Sequence, residues 1–146
     1  MALHTYLPQD RLRALANSAS LPDRTRGSAL FADISGFTLL TEKFTREYGA
    51  RRGVEELTHM MNNVYDALIT QVERHGGSVI SFAGDAITCW FDEKRTHLST
   101  TPAPTLAVLC AFALQTAMKS FPQLAVKVAV ATGEARRFVV GDPNNW

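Results

Sequence analysis

The sequence predicts an α+β fold in which a mostly antiparallel sheet carries helices on one face. Short apolar runs typical of strands alternate with stretches of helical periodicity. Two of these runs are separated only by a tight turn at residues 83–85, which predicts a β-hairpin. The predicted order is β-α-α-β-β-α-β-β, with a helix, a hairpin and a further helix between flanking strands. That order indicates a ferredoxin-like sandwich.

The first predicted strand covers residues 28–34, an apolar run that we expect to be buried on both faces. A helix follows from Phe37, with Leu40, Phe44 and Tyr48 on one face, and should end at Gly49. Residues 1–27 form a polar leader in which Pro8 starts a short helix through Asn17. We therefore place the folded domain at residues 28–146.

The clearest helix covers about residues 53–75, because apolar residues recur there at spacings of three and four. Gly76 and Gly77 supply its C-terminal stop. The remaining predicted elements are strands at 78–82 and 86–91, a polar loop at 92–101, a helix at 105–121, and strands at 126–130 and 138–140 around a turn at Gly133.

Composition limits the functional classes. The chain has 146 residues, of which 46% are hydrophobic and 20% charged, and its formal net charge is +1. These values fit one globular domain and give no electrostatic argument for nucleic-acid binding. No apolar run approaches the roughly 20 residues of a membrane span, and no signal peptide is recognisable. Cys89 and Cys110 lie in apolar runs and are expected to be buried, reduced thiols, so we expect a cytoplasmic protein.

Two aspartates occupy unusual positions. Asp33 comes near the end of a hydrophobic strand, and Asp85 lies in the hairpin turn. Taken alone, each fits an ordinary capping or turn role. Because both lie beside apolar strands, a functional role is about as well supported as the capping or turn role. If the hairpin lies beside the first strand, the carboxylates converge, and a magnesium ion would relieve their repulsion.

The segment Ser35-Gly36-Phe37-Thr38 follows Asp33 directly. A small loop at a helix N-terminus offers backbone N–H groups and a positive dipole end to a phosphate. Gly36 allows the backbone to approach such a ligand closely. A triphosphate–magnesium complex would satisfy both the carboxylates and the loop.

Two motifs carry a family resemblance. Residues 31–38, FADISGFT, resemble the first metal motif of class III adenylyl and guanylyl cyclases, and residues 82–86, FAGDA, resemble the second. Residues 132–134 and 139–142 are similar to a later strand pair of that domain. The most similar branch is that of soluble adenylyl cyclase and its bacterial relatives. Residues 28–146 are then a cyclase homology domain that is incomplete at its C-terminus.

The resemblance implies a function and a site. Asp33, Asp85 and the Ile34 carbonyl would hold two Mg²⁺ or Mn²⁺ ions, and Ser35, Gly36, Phe37 and Thr38 would cradle the phosphates. The reaction would convert a nucleoside triphosphate, ATP in preference to GTP, to a 3′,5′-cyclic nucleotide and pyrophosphate for signal transduction. Members of the family work as dimers, so a second cyclase domain is the expected partner, either in tandem or in a homodimer.

The sequence departs from the family at Ser81, where many homodimeric members place a base-reading lysine. The transition-state asparagine and arginine of the family would lie beyond residue 146. We therefore expect an asymmetric pair, and little or no cyclase activity from this chain alone. The alternative is a non-catalytic regulatory domain that binds nucleotide or a partner cyclase domain. A diguanylate cyclase is disfavoured, because its glycine-glycine-acidic hairpin signature is absent.

Overall fold

The computed structural model describes residues 7–94 and 101–138. Within these ranges three α-helices and four strands follow one another, and a short 3₁₀ turn at Met118–Ser120 follows the last helix. In chain order the elements are α1 (Gln9–Ala16), β1 (Arg24–Ser35), α2 (Phe37–Arg74), β2 (Ser78–Ala83), β3 (Ala86–Asp92), α3 (Ala103–Ala117) and β4 (Ala125–Arg136).

The four strands form one sheet in the order β2-β3-β1-β4, and every neighbouring pair is antiparallel. From β1 onward the chain runs strand, helix, hairpin, helix, strand, so the first and third strands in sequence are neighbours at the centre. This is the predicted ferredoxin-like arrangement. The buried side chains of α2 and α3 join those of the sheet in one hydrophobic core, which confirms the predicted fold class.

The faces of β1 differ in their burial. Leu30, Ala32 and Ile34 are completely buried in the core with the helices, whereas Phe31 is 45% exposed. The expectation that this strand is buried on both faces was therefore wrong. The long helices α2 and α3 cover one face, and successive strand residues point to opposite faces. We call the other face, which carries Ala29, Phe31 and Asp33, the open face. The strand also begins at Arg24, four residues earlier than predicted.

The last strand differs most from the prediction. β4 continues without a turn through Gly133, which lies opposite Gly27 of β1. A Cβ on Gly27 would lie 2.2 Å from the Phe91 carbonyl oxygen. Gly27 permits this close approach, whereas a Cβ on Gly133 would meet none of the described atoms within 4 Å. A glycine in a strand therefore need not mark a turn. Phe138 lies outside any strand, and the rest of the predicted final strand, residues 139–140, lies outside the described residues.

The helix interruption at Gly49 and the helix end at Gly76 and Gly77 were predicted correctly. Gly49 has φ 79° and ψ 167°, so it interrupts the helix where the first helical pattern was expected to end. At the C-terminus Gly76 has φ 76°, and its N–H donates to the Glu73 carbonyl at 2.9 Å. The Gly77 N–H donates to the Val72 carbonyl, also at 2.9 Å. These two bonds satisfy carbonyl groups that the helix end would otherwise leave unpaired.

The predicted buried thiols are confirmed. Cys89 on β3 and Cys110 on α3 are both free and completely buried. Burial raises the pKa of each thiol to about 12, and for Cys89 the nearby Cys110 adds to the rise. Both groups therefore stay protonated at neutral pH and serve as small core residues.

The apolar residues predicted at spacings of three and four in α2 allow a test of the core by protein stability. Leu68 is completely buried, so Leu68→Ala should lower the free energy of unfolding by about 2–5 kcal/mol, as cavity-forming leucine truncations do. Leu39 in the same helix is 74% exposed, and Leu39→Ala should change stability by no more than about 0.5 kcal/mol. Urea unfolding followed by circular dichroism measures both. Equal losses in the two variants would contradict the assigned core.

Candidate functional site

The register of β1 and β3 brings the two predicted aspartates to one place. Asp33 lies opposite Ala86, the residue that follows Asp85 in the chain. The Ile34 N–H donates to the Asp85 carbonyl oxygen at 3.2 Å. The backbone at Asp33 and Ile34 therefore runs directly beside the hairpin turn that carries Asp85. The two residues are 52 positions apart in sequence and adjacent at the end of neighbouring strands.

The hairpin turn is held by a residue that the sequence analysis missed. Gly84 has φ 62°, and its carbonyl accepts a 3.0 Å hydrogen bond from the Tyr65 hydroxyl. The Tyr65 ring also packs edge-on against Phe82, with ring centroids 5.4 Å apart. Burial, and secondarily the charge of Asp85, raise the pKa of Tyr65. The phenol thus stays a neutral donor that fixes the turn. A tyrosine in an otherwise apolar helical stripe, in need of a hydroxyl partner, was the available signal.

The loop after Asp33 is fixed by Gly36. This residue has φ 108° and immediately precedes α2, whose Leu40 N–H donates to its carbonyl at 3.1 Å. A Cβ at Gly36 would lie 2.8 Å from the Gln123 carbonyl oxygen. The first backbone N–H groups of α2 are not used in the helical hydrogen-bond pattern and are available to an anion. This helix begins four residues after Asp33.

The four predicted cradle residues differ in exposure. Thr38 is exposed, whereas Ser35, Gly36 and Phe37 are half-buried. The Ser35 hydroxyl makes a long 3.5 Å contact with the Ala125 carbonyl, and Phe37 packs against the core. The backbone of this segment, and the Thr38 side chain, are therefore the parts best placed to meet a ligand.

The electrostatics of the site centre on two carboxylates without protein partners. Asp33 is half-buried and Asp85 is exposed, and within the described residues neither carboxylate has a hydrogen bond or ion pair. Lys127 of β4 lies opposite Asp33 on the open face, on the side away from β3. Sequence reasoning did not single out Lys127, because only the pairing of β4 with β1 places it there.

The donor set fits one kind of metal. No cluster of three or more histidine, cysteine or acidic side chains occurs among the described residues. Zinc sites need such clusters, whereas Mg²⁺ is often bound by one or two carboxylates with substrate phosphates and water. Asp33, Asp85 and the carbonyl of Ile34, the residue after Asp33, fit the pattern of a Mg²⁺ site.

Ser81 lies apart from this group. It is exposed on the edge strand β2 and pairs with Thr88, which in turn pairs with Phe31 on β1. A bulge between Val79 and Ser81 shifts the register by one residue. Since paired residues share a face, Ser81 lies on the open face, as Asp33 does, but two strands away.

Comparison with known proteins identifies the family. The model of the adenylate and guanylate cyclase catalytic domain matches residues 24–145. The chain therefore belongs to this family. Adenylate cyclase type 10 of Rattus norvegicus is 31% identical over 121 residues, which make up 80% of this chain but 7% of that protein. The division of the chain at residue 28 stays a prediction.

Solved structures share the fold. A bacterial light-regulated adenylyl cyclase superposes with a TM-score of 0.76 at 18% identity, covering 98% of this chain and 42% of that one. The adenylyl cyclase CyaB from P. aeruginosa gives a TM-score of 0.64 at 24% identity, covering 84% and 63%. In the described part of the chain, no helix combines the length and apolarity needed to cross a membrane.

Proposed function

We propose that this domain supplies the metal-binding half of a cytoplasmic nucleotidyl cyclase site. The reaction converts a nucleoside triphosphate, ATP in preference to GTP, to a 3′,5′-cyclic nucleotide and pyrophosphate. The observation that carries this proposal is the register of β1 and β3, which sets Asp33 beside the Asp85 turn. Membership of the cyclase family and the similarity to adenylate cyclase type 10 support it.

Asp33, Asp85 and the Ile34 carbonyl would hold two Mg²⁺ or Mn²⁺ ions. Bound in this way, such ions lower the pKa of the attacking 3′-hydroxyl and neutralise charge on the phosphates. The carboxylates have no hydrogen-bond or ion-pair partner among residues 7–94 and 101–138, so metal binding would break no contact within that part of the chain. The Tyr65 bond to Gly84 holds the turn, and therefore Asp85, in place before substrate arrives.

The start of α2 would bind the triphosphate. Its free N–H groups and its dipole favour negative charge, and Gly36 brings this backbone within reach of the strand end. The Thr38 hydroxyl adds one exposed donor. The phosphates would then lie between the helix start and the carboxylates, which orients the α-phosphate for attack by the 3′-hydroxyl.

Lys127 is the cation best placed to contact the phosphates. It is exposed, lies opposite Asp33 and forms no ion pair within the described residues. Lys127→Ala should raise KM for the nucleotide about tenfold and lower kcat less, because a charge-assisted contact to phosphate would be lost. Lys119→Ala, at an exposed position after α3, is the matched control. An unchanged KM in the Lys127 variant would remove this residue from the site.

The expected partner is a second cyclase domain that contributes base recognition. A serine hydroxyl at position 81 makes a hydrogen bond but supplies no positive charge. In an asymmetric pair the catalytic pocket would use the lysine of the partner domain, and Ser81→Lys should change turnover by less than about twofold, the range of ordinary surface substitutions. Steady-state assays of the full-length protein with ATP and with GTP measure this. A large gain in turnover or in purine selectivity would instead place Ser81 in the active site and contradict the asymmetric arrangement.

Turnover by the full-length protein tests the function itself. Incubation with ATP or GTP and Mn²⁺ should yield cyclic nucleotide and pyrophosphate in equal amounts. Nucleotide binding without turnover would favour the alternative, a non-catalytic regulatory cyclase domain, which the serine at position 81 keeps open.

A further inference from the structure

A second site lies at the other end of the sheet. A cavity of about 540 Å³ opens between the start of α1 and the open face, where Thr25 and Ala29 of β1 form part of its wall. At about 3.3 Å per strand residue, these positions lie roughly 13–26 Å along β1 from Asp33. The volume is within the range of about 300–1,000 Å³ that small-molecule sites occupy. This cavity is separate from the candidate metal site.

The walls of the cavity are mainly apolar. Two residues come from the N-terminal segment, three from the sheet, and one follows the last strand: Leu7, Leu21, Ala29, Ile80, Trp90 and Phe138. The N-terminal segment is fixed at this place because the Gln9 side chain accepts a hydrogen bond from the Val79 N–H at 2.9 Å. The cavity is thus part of the folded structure and offers an apolar ligand a surface away from water.

Beside the cavity one arginine forms ion pairs with two carboxylates. Arg137 donates to Asp10 at 3.1 Å and to Asp92 at 3.4 Å. Asp92 also accepts hydrogen bonds from the Thr25 hydroxyl and the Trp90 indole N–H, at 2.7 and 3.3 Å. Burial would raise the pKa of Asp92, but these hydrogen bonds, with one from a backbone N–H, outweigh it and lower the pKa. Asp92 therefore stays ionised at neutral pH, and Arg137 is already paired.

Two further arginines line the cavity without a carboxylate partner. Arg11 and Arg136 make no ion pair within the described residues. The Arg136 guanidinium lies over the Phe138 ring, 5.0 Å from its centroid, which holds the charge beside an apolar wall. The cavity and the adjoining ion pairs together contain three arginines and two carboxylates, so their net charge is positive. An apolar ligand with one negative group would match both the walls and the charge.

We propose that this cavity binds a small amphiphilic anion, an alkyl or aryl carboxylate whose apolar part fills the space over the sheet and whose carboxylate lies near Arg11 and Arg136. The proposal does not depend on the nucleotide reaction. It assigns the N-terminal segment a role in ligand binding.

Calorimetric titration with three probes of equal chain length tests the charge preference. Octanoate, octanol and octylammonium share the apolar part and differ in the head group. Octanoate should bind about tenfold more tightly than octanol, the usual scale of one charge-assisted contact, and octylammonium should bind most weakly. In a Trp146→Phe background Trp90 is the only tryptophan, so its fluorescence should change with octanoate. No binding of octanoate, or equal binding of all three probes, would overturn the proposal.

Two variants locate the site. Ala135 lines the cavity on β4, so Ala135→Trp should fill it and weaken octanoate binding at least about tenfold. Ala129→Trp is the matched control, since Ala129 belongs to the same strand, is exposed, and lies outside the cavity. Arg11→Gln combined with Arg136→Gln should abolish the preference for octanoate over octanol. Arg46→Gln, at an exposed position of α2 outside the cavity, should preserve it. Octanoate binding that Ala135→Trp and the double arginine variant both leave unchanged would show that the ligand binds elsewhere.

Discussion

Replacing Asp33 or Asp85 by asparagine should reduce cyclic-nucleotide formation by the full-length protein by about 10³-fold or more, the scale seen when a charge that stabilises a phosphoryl transition state is lost. Asparagine keeps the size of the side chain but removes the charge, so the fold should persist. Each carboxylate is proposed to hold the same metal pair, and loss of either one leaves the site incomplete. The double variant should therefore be hardly worse than each single variant, because the residues act as a unit.

The control for this experiment is Asp66→Asn. Asp66 is an exposed aspartate of α2, far along the chain from both motifs, and the variant should keep full activity. Mn²⁺ binding in the presence of nucleotide, measured by titration, gives a second readout independent of turnover. Near-normal activity in the Asp85 variant would show that the hairpin aspartate is a turn residue only and would remove the two-metal proposal.

Replacing Gly36 by alanine should lower kcat/KM about 10²-fold, an effect that a displacement of about 1 Å at a reacting centre produces. At φ 108° a Cβ strains the backbone, and it would also lie 2.8 Å from the Gln123 carbonyl oxygen. Backbone on both sides must move, and the start of α2 would shift away from Asp33. The left-handed conformation alone costs about 1–2 kcal/mol, so stability should fall as well.

Gly49→Ala is the control that separates backbone strain from displacement of the start of α2. Gly49 also has positive φ, at 79°, but no atom lies within 4 Å of the position that its Cβ would occupy. This variant should lose stability by a similar strain and keep its kcat/KM. Kinetics and urea unfolding on both variants measure the difference. If the two variants lose activity equally, the loop at Gly36 has no special part in substrate positioning.

The sequence predicted the placement of those candidate-site residues that depend on local signals, and their role stays a prediction. Asp33 and Asp85 stand out because each breaks an apolar pattern, and the hairpin and the glycine stops of α2 are set by residues close to one another in the chain. Gly133 was misjudged because a glycine between apolar runs often signals a turn, and only the pairing of β4 with β1 shows that the strand continues through it. The burial of β1 was misjudged for a related reason, since an apolar run does not show that α2 and α3 both pack on the same face.

The positions of Tyr65 and Lys127 beside the candidate site could not be predicted from the sequence. Tyr65 belongs to the helical stripe by spacing, and its bond to Gly84 appears only when α2 lies against the hairpin. Lys127 alternates with apolar residues as any exposed strand residue does, and its place opposite Asp33 depends on the register between β1 and β4. Both contacts are tertiary.

The bulge in β2 decides which face of the sheet Ser81 lies on. From Ser78 to Ala83 the edge strand uses six residues to span the five from Ala86 to Trp90 on its neighbour. With equal counts, Ser81 would pair with Ile87 and turn toward the helices, because a slip of one residue exchanges the two faces of a strand. The extra residue makes position 81 available to whatever binds on the open face. A larger side chain at position 81 would therefore project from the open face and leave the core under α2 and α3 unchanged.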